Sequence, residues 1–209
     1  MKSNKLDNFL FIISAPSGTG KTTICRYLLQ QHSDLSLSIS TTTRAPREGE
    51  INERDYFFTT KEDFKKKIKK KEFLEYAEIF DNYYGTPIGF VKNKLSLRTN
   101  ILFDIDWQGM RQIKKHKSFN ITTLFLLPPS IDVLRERLKH RGDSDEQIEK
   151  RIGGFRNDAE KADEYDYIVL NDELEKTCNI ISTIYKTEKI KFNKQKMLDF
   201  TRNNLLKGV

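Results

Sequence analysis

A glycine-rich stretch followed by lysine and threonine carries the most specific chemistry in this sequence. It occupies residues 15–22, APSGTGKT, and matches the phosphate-loop pattern G-x-x-x-x-G-K-[ST] except that Ala15 replaces the first glycine. The two glycines let backbone N–H groups converge on phosphate oxygens, the lysine neutralises charge, and the threonine hydroxyl can ligate Mg²⁺. The alternative is a glycine turn that precedes a helix by chance. An apolar strand before the motif and a helix after it favour a phosphate site.

Two aspartates follow a later apolar run and are candidates for holding a metal. Asp104 comes directly after residues 101–103, so it is predicted at the end of a buried strand. From there its carboxylate could ligate Mg²⁺ directly or through water, together with Thr22. Asp106 lies two residues further on, which predicts the same side of that strand. The alternative for either aspartate is that it caps the next helix.

A polar stretch with two arginines follows the first predicted helix. Residues 38–50 read SISTTTRAPREGE and residues 55–58 read DYFF. This stretch resembles the GMP-binding signature of guanylate kinases. Further matches to that family lie at residues 72–77 (EFLEYA), 82–87 (NYYGTP), 104–109 (DIDWQG) and 165–172 (YDYIVLND). The resemblance covers roughly residues 9–186 in collinear order.

The resemblance implies a binding site for GMP. Around the GMP phosphate it implies Arg44, Arg47, Tyr56 and Tyr84. Around the guanine it implies Ser40, Glu75, Thr86 and Asp106, with Gly85 and Asp104 completing the predicted site. The chemistry agrees, because guanidinium forks suit a dianionic phosphate and a carboxylate accepts from guanine N1–H and the exocyclic amine. Ordinary alternatives are an exposed loop arginine, a packed tyrosine and a glutamate that pairs with lysine.

The resemblance also implies an ATP site and a lid that closes over it. The predicted ATP contacts are Ala15, Pro16, Ser17, Gly18, Thr19, Gly20, Lys21, Thr22 and Thr23, with Asn171 a weaker candidate on the adenosine side. Residues 135–142 resemble the lid, in which Arg137 and Arg141 are four residues apart and share a helix face. Arg151 belongs to the same lid, although this chain is one residue shorter between Arg141 and Arg151 than the usual family pattern. Ordinary surface charge is the alternative. The predicted catalytic residues are Lys21, Arg44, Asp104, Arg137, Arg141 and Arg151.

The pattern of apolar residues predicts the elements that position these groups. Short runs rich in β-branched and aromatic residues occur at residues 9–14, 101–106, 122–127 and 167–170, each followed by a segment of helical period. Helices are predicted at residues 22–31 and 130–140, the second ending at Gly142. The alternation indicates an α/β fold with a buried parallel sheet. The resemblance specifies a three-layer P-loop NTPase fold with an inserted GMP-binding subdomain and a helical lid.

The predicted organisation is one guanylate kinase-like domain over residues 7–187. Its core comprises residues 7–37, 100–136 and 165–187; the GMP-binding subdomain comprises residues 38–99, and the lid residues 137–164. Residues 61–71 are predicted to form a helix in the subdomain, with Phe64 and Ile68 on one face. Residues 188–209 form a basic tail whose apolar residues, including Leu206, favour a packed terminal helix.

Composition limits the compartment and the partners. The net charge of +7 indicates an anionic partner, which charge alone does not identify. The two cysteines have no metal-binding or disulfide spacing, which fits a reducing compartment. No apolar run approaches the roughly 20 residues that span a bilayer. We therefore expect a cytoplasmic protein without a membrane or nucleic-acid partner, in which the lysine-rich helix at residues 61–71 is a solvated surface.

The resemblance implies an enzyme that transfers the γ-phosphoryl of MgATP to GMP, and to dGMP as well, in the essential recycling of GMP. Mg²⁺ is the expected cofactor, and the chain is expected to be a monomer or a homodimer. One alternative is a non-catalytic guanylate-kinase-like interaction module, although such modules typically lack a working phosphate loop. The other is a small-molecule kinase for a phosphorylated sugar, which would not need the set that recognises the base.

Overall fold

The structure is a computed structural model that describes residues 8–79 and 81–205. Residue 7, where we predicted that the domain begins, and Leu206 in the predicted tail helix lie outside these ranges. The strands run, in chain order, β1 (Phe9–Ser14), β2 (Leu35–Leu37), β3 (Thr41–Thr42), β4 (Phe57–Phe58), β5 (Phe73–Ile79), β6 (Asn82–Pro87), β7 (Asn100–Asp104), β8 (Asn120–Leu127) and β9 (Tyr167–Leu170). The α-helices are α1 (Lys21–Gln31), α2 (Lys61–Lys69), α3 (Ile88–Ser96), α4 (Trp107–Lys114), α5 (Ile131–His140), α6 (Asp145–Ala159), α7 (Leu174–Phe192) and α8 (Lys194–Phe200).

A five-stranded parallel sheet in the order β2-β7-β1-β8-β9 forms the centre of the fold. Every residue of β1 is buried, because helices cover both faces and leave no solvent-facing side for polar residues. On one face Phe9, Phe11 and Ile13 pack with residues of α1 and α7; on the other Leu10 and Ile12 pack with residues of α3 and α4. The predicted three-layer α/β fold is confirmed.

The strand predictions for β1 and β9 match the structure, whereas the prediction at residues 101–106 is wrong at its end. The strand stops at Asp104, and Asp106 is the N-cap of α4, where its side chain accepts from the Gly109 N–H at 3.1 Å. Asp106 therefore does not lie on the strand beside Asp104. A short carboxylate side chain that can accept from the first turn favours the cap over another strand residue.

The segment between β2 and β7 forms a second, four-stranded sheet in the order β4-β3-β6-β5. Its β5–β6 hairpin is antiparallel, and α2 packs over it through Phe64, whose ring stacks on Phe73 at 4.4 Å between centroids. Phe64 is fully buried whereas Ile68 is only partly buried. The Thr60 side chain caps α2 by accepting from the Asp63 N–H. This sheet supports the side chains predicted to bind GMP.

A buried asparagine joins the elements at the amino end of the central sheet. The Asn100 side-chain oxygen accepts from the Phe9 N–H at 3.0 Å, and its amide donates to the Tyr185 hydroxyl at 2.8 Å and to Asp34 at 3.1 Å. Lys189 pairs with Asp34 at 2.6 Å. These contacts connect β1, β7, α7 and the loop after α1. They lie at the end of the sheet opposite the phosphate loop, since β7 is parallel to β1.

Two helices, α5 and α6, form a hairpin beside the phosphate loop. Ser130 caps α5, and Ser144 and Gln147 form a capping box at the start of α6. The hairpin has its own small apolar cluster, which contains Leu134, Leu138 and Ile148. The sequence analysis assigned residues 137–164 to the lid, a range that contains the end of α5 and all of α6.

The tail after α7 is helical but not packed as predicted. It continues through α8 into a π-helical turn at Thr201–Leu205. Met197, Phe200 and Leu205 are 55%, 53% and 61% exposed, so the prediction of a packed helix is wrong for these residues. These three side chains belong to none of the apolar clusters formed by the described residues. Within the described ranges, no helix is both long and apolar enough to cross a bilayer.

Candidate active site

The phosphate loop lies between the carboxyl end of β1 and the first turn of α1. Gly18 and Gly20 have φ angles of +88° and +100°, a region in which residues with a Cβ are strained. Space is also limited, because a Cβ at Gly18 would lie 2.8 Å from Leu138 of α5 and one at Gly20 would lie 2.7 Å from the Asn171 amide. Both glycines are therefore required by conformation and by close packing.

Side chains from other elements donate hydrogen bonds to the backbone of this loop. The Thr19 carbonyl accepts from the Asn171 amide at 2.7 Å and from the Arg137 guanidinium at 3.2 Å. Arg137 also donates to the Asn171 carbonyl at 3.1 Å. Asn171 is only 2% exposed and lies outside the described lining of the cavity above the loop. Its position therefore favours support of the loop over the adenosine contact that we predicted.

Lys21 at the start of α1 forms an ion pair with Asp104 at the end of β7. Burial by itself would lower the pKa of Lys21, but the adjacent Asp104 carboxylate outweighs it and raises the pKa above its ordinary value. The lysine therefore stays charged at neutral pH, as a phosphate-binding residue must. Thr22 follows it and is exposed towards the cavity. The hydroxyl and carboxylate oxygens of Thr22 and Asp104 suit Mg²⁺, which prefers hard oxygen donors.

A cavity of about 810 Å³ lies above the loop. Its walls contain the whole loop, the acidic residues that follow β7, and all three predicted lid arginines. The members that we predicted from the sequence are Ala15, Pro16, Ser17, Gly18, Thr19, Gly20, Lys21, Thr22, Thr23, Asp104, Asp106, Arg137, Arg141 and Arg151. The fold thus gathers cationic groups around one space next to the phosphate loop.

Arg151 reaches the phosphate loop despite the shortened connection before it. Its guanidinium donates to the Ser17 hydroxyl at 2.7 Å. Arg141 forms an ion pair with Asp143, in which its Nε and Nη2 donate to one carboxylate oxygen; the sequence analysis did not single out Asp143. The missing residue therefore does not move Arg151 away from the site.

Glu75 lies in a buried polar pocket of the second sheet. Its carboxylate accepts from the Thr86 hydroxyl at 2.7 Å and from the Thr86 N–H at 3.0 Å. Burial raises its pKa to about 7; the bonds from Thr86 oppose that shift, and nearby Asp106 adds to it. Ser40 lies 3.4 Å from the Thr86 hydroxyl. Gly109 of α4 leaves room for this carboxylate, because a Cβ there would lie 2.8 Å from it.

Arg44 and two tyrosines form a second cluster on the same sheet. The Arg44 guanidinium lies 5.4 Å from the centre of the Tyr56 ring, and the Tyr56 and Tyr84 rings are 6.2 Å apart. Glu50 holds Arg44 through two bonds of 2.8 and 2.9 Å and also accepts from the Arg47 N–H at 2.7 Å. The Arg47 residue is otherwise exposed.

The residues that were predicted from the sequence therefore form two groups, and only one of these groups lines the phosphate-loop cavity. Glu75, Tyr84 and Thr86 lie on strands of the second sheet, whereas Ser40, Arg44 and Tyr56 lie in the segments next to β3 and β4. All six are outside the described wall of the phosphate-loop cavity, and Gly85 is buried against Phe64. Asp106 connects the groups, since it lines the cavity and contributes to the raised pKa of Glu75.

Several residues of these surfaces were missed in the sequence analysis. Trp107, Gln108 and Asp158 line the cavity, and burial raises the pKa of Asp158. Glu50 was part of the quoted signature stretch, so its place beside Arg44 was a usable signal. Asp158 follows the lid arginines in α6, but no spacing rule singled it out.

Comparisons with known proteins identify relatives over most of the chain. A family model described as "Guanylate kinase" matches residues 8–188. A protein named guanylate kinase from Rickettsia prowazekii (strain Madrid E) is 45% identical over 188 residues, which cover 90% of this chain and 95% of the relative. One of the same name from Wolbachia pipientis wMel is 42% identical over 193 residues, 92% and 96% of the two chains. The crystal structure of guanylate kinase from Anaplasma phagocytophilum superposes with a TM-score of 0.70 at 29% identity, covering 87% of this chain and 86% of that one.

Proposed function

The chain belongs to the guanylate kinase family and phosphorylates GMP with ATP, and from this premise we propose which of its residues carry each part of the reaction. We assign ATP phosphate binding to the loop at residues 15–23, with Lys21 as the cation that follows the loop glycines at the start of α1. Asn171 and Arg137 keep the loop in shape through the Thr19 carbonyl. The support for this assignment is the convergence of loop, lysine and lid arginines on one cavity.

Thr22 and Asp104 are the residues that would hold Mg²⁺ with ATP. When bound, the ion supplies positive charge that offsets the charge developing on the phosphoryl oxygens. Lys21 lies beside Asp104 and contributes a second fixed cation at that point. Lys21 and Asp104 already contact each other, so little reorganisation of these two side chains is needed during transfer.

Glu75 is the residue proposed to recognise guanine. Guanine offers two donors, N1–H and the exocyclic amine, to a carboxylate that already accepts from Thr86. Adenine in the same position presents an unprotonated N1 and no 2-amino group, so the base would give this buried carboxylate no donor beyond those of Thr86. A buried polar group without its partner costs about 1–3 kcal/mol, and more when charged. Selectivity for guanine over adenine follows.

Arg44, Arg47, Tyr56 and Tyr84 are proposed to bind the GMP phosphate. An oxygen of that phosphate attacks the γ-phosphorus of ATP in line; a P–O bond forms to GMP as the bond to ADP breaks. The acceptor is already an anion at neutral pH, so no strong general base is required. Arg137, Arg141 and Arg151 would stabilise the charge of the transferring group. Closure of the lid and of the second sheet would exclude water and suppress ATP hydrolysis.

We also propose the finer points of substrate and setting. The assigned contacts address base and phosphate, and none is assigned to the ribose 2′-hydroxyl, so dGMP should serve as an acceptor too. The enzyme would act in the cytoplasm, where it recycles GMP and supplies nucleotides, with no nucleic-acid or membrane partner. We propose either a monomer or a homodimer.

The observation that carries this proposal is the buried Glu75–Thr86 pair on the sheet that also holds Arg44 and the two tyrosines. An acceptor panel of GMP, dGMP, AMP, UMP and ribose 5-phosphate, followed by ADP release, tests it. We expect transfer to GMP and dGMP and little transfer to the other acceptors. The Lys21→Ala variant should transfer no phosphoryl group, while its circular dichroism spectrum stays the same as that of wild type. Preference for the sugar phosphate, or no transfer at all, would favour the alternatives.

A further inference from the structure

The turn between α5 and α6 has a fixed backbone. Gly142 has a φ angle of +87°, its N–H donates to the Lys139 carbonyl at 2.9 Å, and the Asp143 N–H donates to the Leu138 carbonyl at 3.3 Å. These two bonds form a Schellman motif, which ends a helix and sets the direction of the chain. Asp143 therefore leaves α5 in a defined orientation, just before Ser144 caps α6.

The Asp143 side chain lies between two of the proposed lid arginines. One oxygen accepts from both Nε and Nη2 of Arg141, with the Nε bond at 3.0 Å. The other oxygen is 3.7 Å from an Nη atom of Arg151. Only 12% of the Asp143 side chain is exposed, against 27% of Arg151 and 47% of Arg141, so water screens the carboxylate less than it screens the Arg141 guanidinium. Arg151 in turn donates to the phosphate-loop residue Ser17.

The position of Asp143 reduces the electrostatic repulsion between Arg141 and Arg151. Two guanidinium groups that face the same cavity repel each other, and the repulsion is greatest before a phosphate binds between them. A carboxylate between them offsets that repulsion and restrains the Arg141 guanidinium, because one carboxylate oxygen accepts from two of its nitrogens. Asp143 does not belong to the described lining of the cavity, so its effect on phosphate would pass through the arginines.

We propose that Asp143 is a positioning residue that holds Arg141 and Arg151 as one cationic pair beside the phosphate loop. The inference rests on the proposed function, because it requires the lid arginines to act on the transferring phosphoryl group. The opposite effect is also testable: a carboxylate that merely occupied the arginines would inhibit, and its removal would raise the rate.

Asp143→Asn tests this role, because it keeps size and removes charge. The matched control is Glu149→Gln, which breaks the exposed ion pair between Arg135 of α5 and Glu149 of α6. We expect Asp143→Asn to lower kcat about tenfold, which corresponds to about 1.4 kcal/mol in the barrier, with KM for GMP within twofold of wild type. Glu149→Gln should keep kcat within twofold. Asp143→Glu, which restores the charge, should recover part of the loss.

A double-mutant comparison identifies the route of the effect. In an Arg141→Ala background, Asp143→Asn should cost less than in wild type, because one of its two partners is already absent. The positioning role would be overturned if Asp143→Asn lowered kcat as much in the Arg141→Ala background as in wild type. It would also be overturned if Asp143→Asn left kcat unchanged or raised it, or if the melting temperature of Asp143→Asn were well below that of Glu149→Gln. Failure of the proposed function is a separate outcome, since wild-type enzyme would then not phosphorylate GMP.

Discussion

A carboxylate buried in a small polar pocket is costly unless something requires its charge. Glu75 is 4% exposed, and its bonds from Thr86 do not fully offset burial, so its pKa rises to about 7. A glutamine could accept the Thr86 bonds without this cost. A ligand that brings two donors to the carboxylate explains why an acid lies there.

The raised pKa of Glu75 predicts how GMP binding depends on pH. Below pH 7 the carboxyl group becomes neutral and loses an acceptor site, so KM for GMP should rise about tenfold between pH 8 and pH 6. The GMP phosphate also titrates in this range, and Glu75→Gln is the control for that contribution. We expect a flatter profile and a higher KM for GMP in Glu75→Gln, measured at saturating ATP. Parallel profiles for the two enzymes would contradict this role.

Glu50 shows what residue types alone do not predict. The predicted roles of Arg44 and Glu75 came from the family resemblance, with which the chemistry of guanidinium and carboxylate groups agrees, whereas the bonds from Arg44 to Glu50 depend on a turn that forms only on folding. The same is true of Asp143 between the lid arginines. Residues that orient other side chains carry no chemical signature of their own.

Glu50→Gln should therefore weaken binding of GMP without affecting ATP. The neutral amide loses the charge-assisted bonds that Arg44 Nη2 donates to both carboxylate oxygens, and the Arg44 side chain is only 16% exposed. We expect KM for GMP to rise about five- to tenfold, equivalent to about 1–1.4 kcal/mol, with KM for ATP within twofold. Glu62→Gln on the solvated face of α2 is the control. Equal increases in both KM values would point to a general loss of structure instead.

At the scale of elements, burial and length decided which ones could be predicted. β1 and β9 were predicted correctly because apolar runs mark them, and α1 and α5 because glycine and serine mark their ends. β2, β3 and β4 have three, two and two residues. Strands that short show no period, and only pairing with neighbours defines them. β5 and β6 have seven and six residues, but polar residues interrupt their apolar pattern, so the second sheet was predicted as an inserted segment without its strands.

Helix α6 contains two adjacent glycines that packing does not require. A Cβ at Gly153 would meet no described atom within 4 Å, and the residue has ordinary helical backbone. Glycine in a helix interior costs roughly 0.5–1 kcal/mol relative to alanine. These glycines therefore lower the stability of α6 without serving a contact among the described residues.

Gly153→Ala should raise the free energy of unfolding by about 0.5–1 kcal/mol in urea denaturation. Gly49→Ala is the matched comparison, because a Cβ there also meets open space but φ is +81°. We expect that variant to lose about 1 kcal/mol, since the left-handed region is unfavourable for alanine. A destabilising Gly153→Ala would mean that the glycine serves a contact or a strained geometry.

At the scale of the whole molecule, the hydrogen bonds of Asn100 and the candidate active site lie at opposite ends of the central sheet. The phosphate loop, Asp104 and the lid are at the carboxyl end, where parallel α/β sheets bind ligands. The Asn100 contacts are at the amino end, about 13 Å away along β7 at the usual rise per strand residue. The sequence predicted the parallel sheet and the segment inserted in it. It did not predict that Met197, Phe200 and Leu205 of the tail would be exposed, because apolar residues suggested packing.

Asn100→Ala should separate stability from catalysis. The change leaves the buried Phe9 N–H without its partner and removes the link to Tyr185, so unfolding should become easier by about 2–3 kcal/mol. Catalysis should change by less than twofold below the unfolding transition, because no active-site contact is lost. Asn93→Ala, on the exposed side of α3, should change neither property. A selective loss of kcat in Asn100→Ala, with stability unchanged, would contradict this division.

The central claim is that one protein reads guanine with Glu75 and its phosphate with Arg44, while the phosphate loop holds ATP. The most direct measurement is a crystal structure with GMP and a non-hydrolysable ATP analogue bound. We expect a Glu75 oxygen within hydrogen-bond distance of guanine N1 or the exocyclic amine, about 2.7–3.2 Å. We also expect the Arg44 guanidinium on the GMP phosphate. GMP bound elsewhere, with Glu75 still facing only Thr86, would contradict the account.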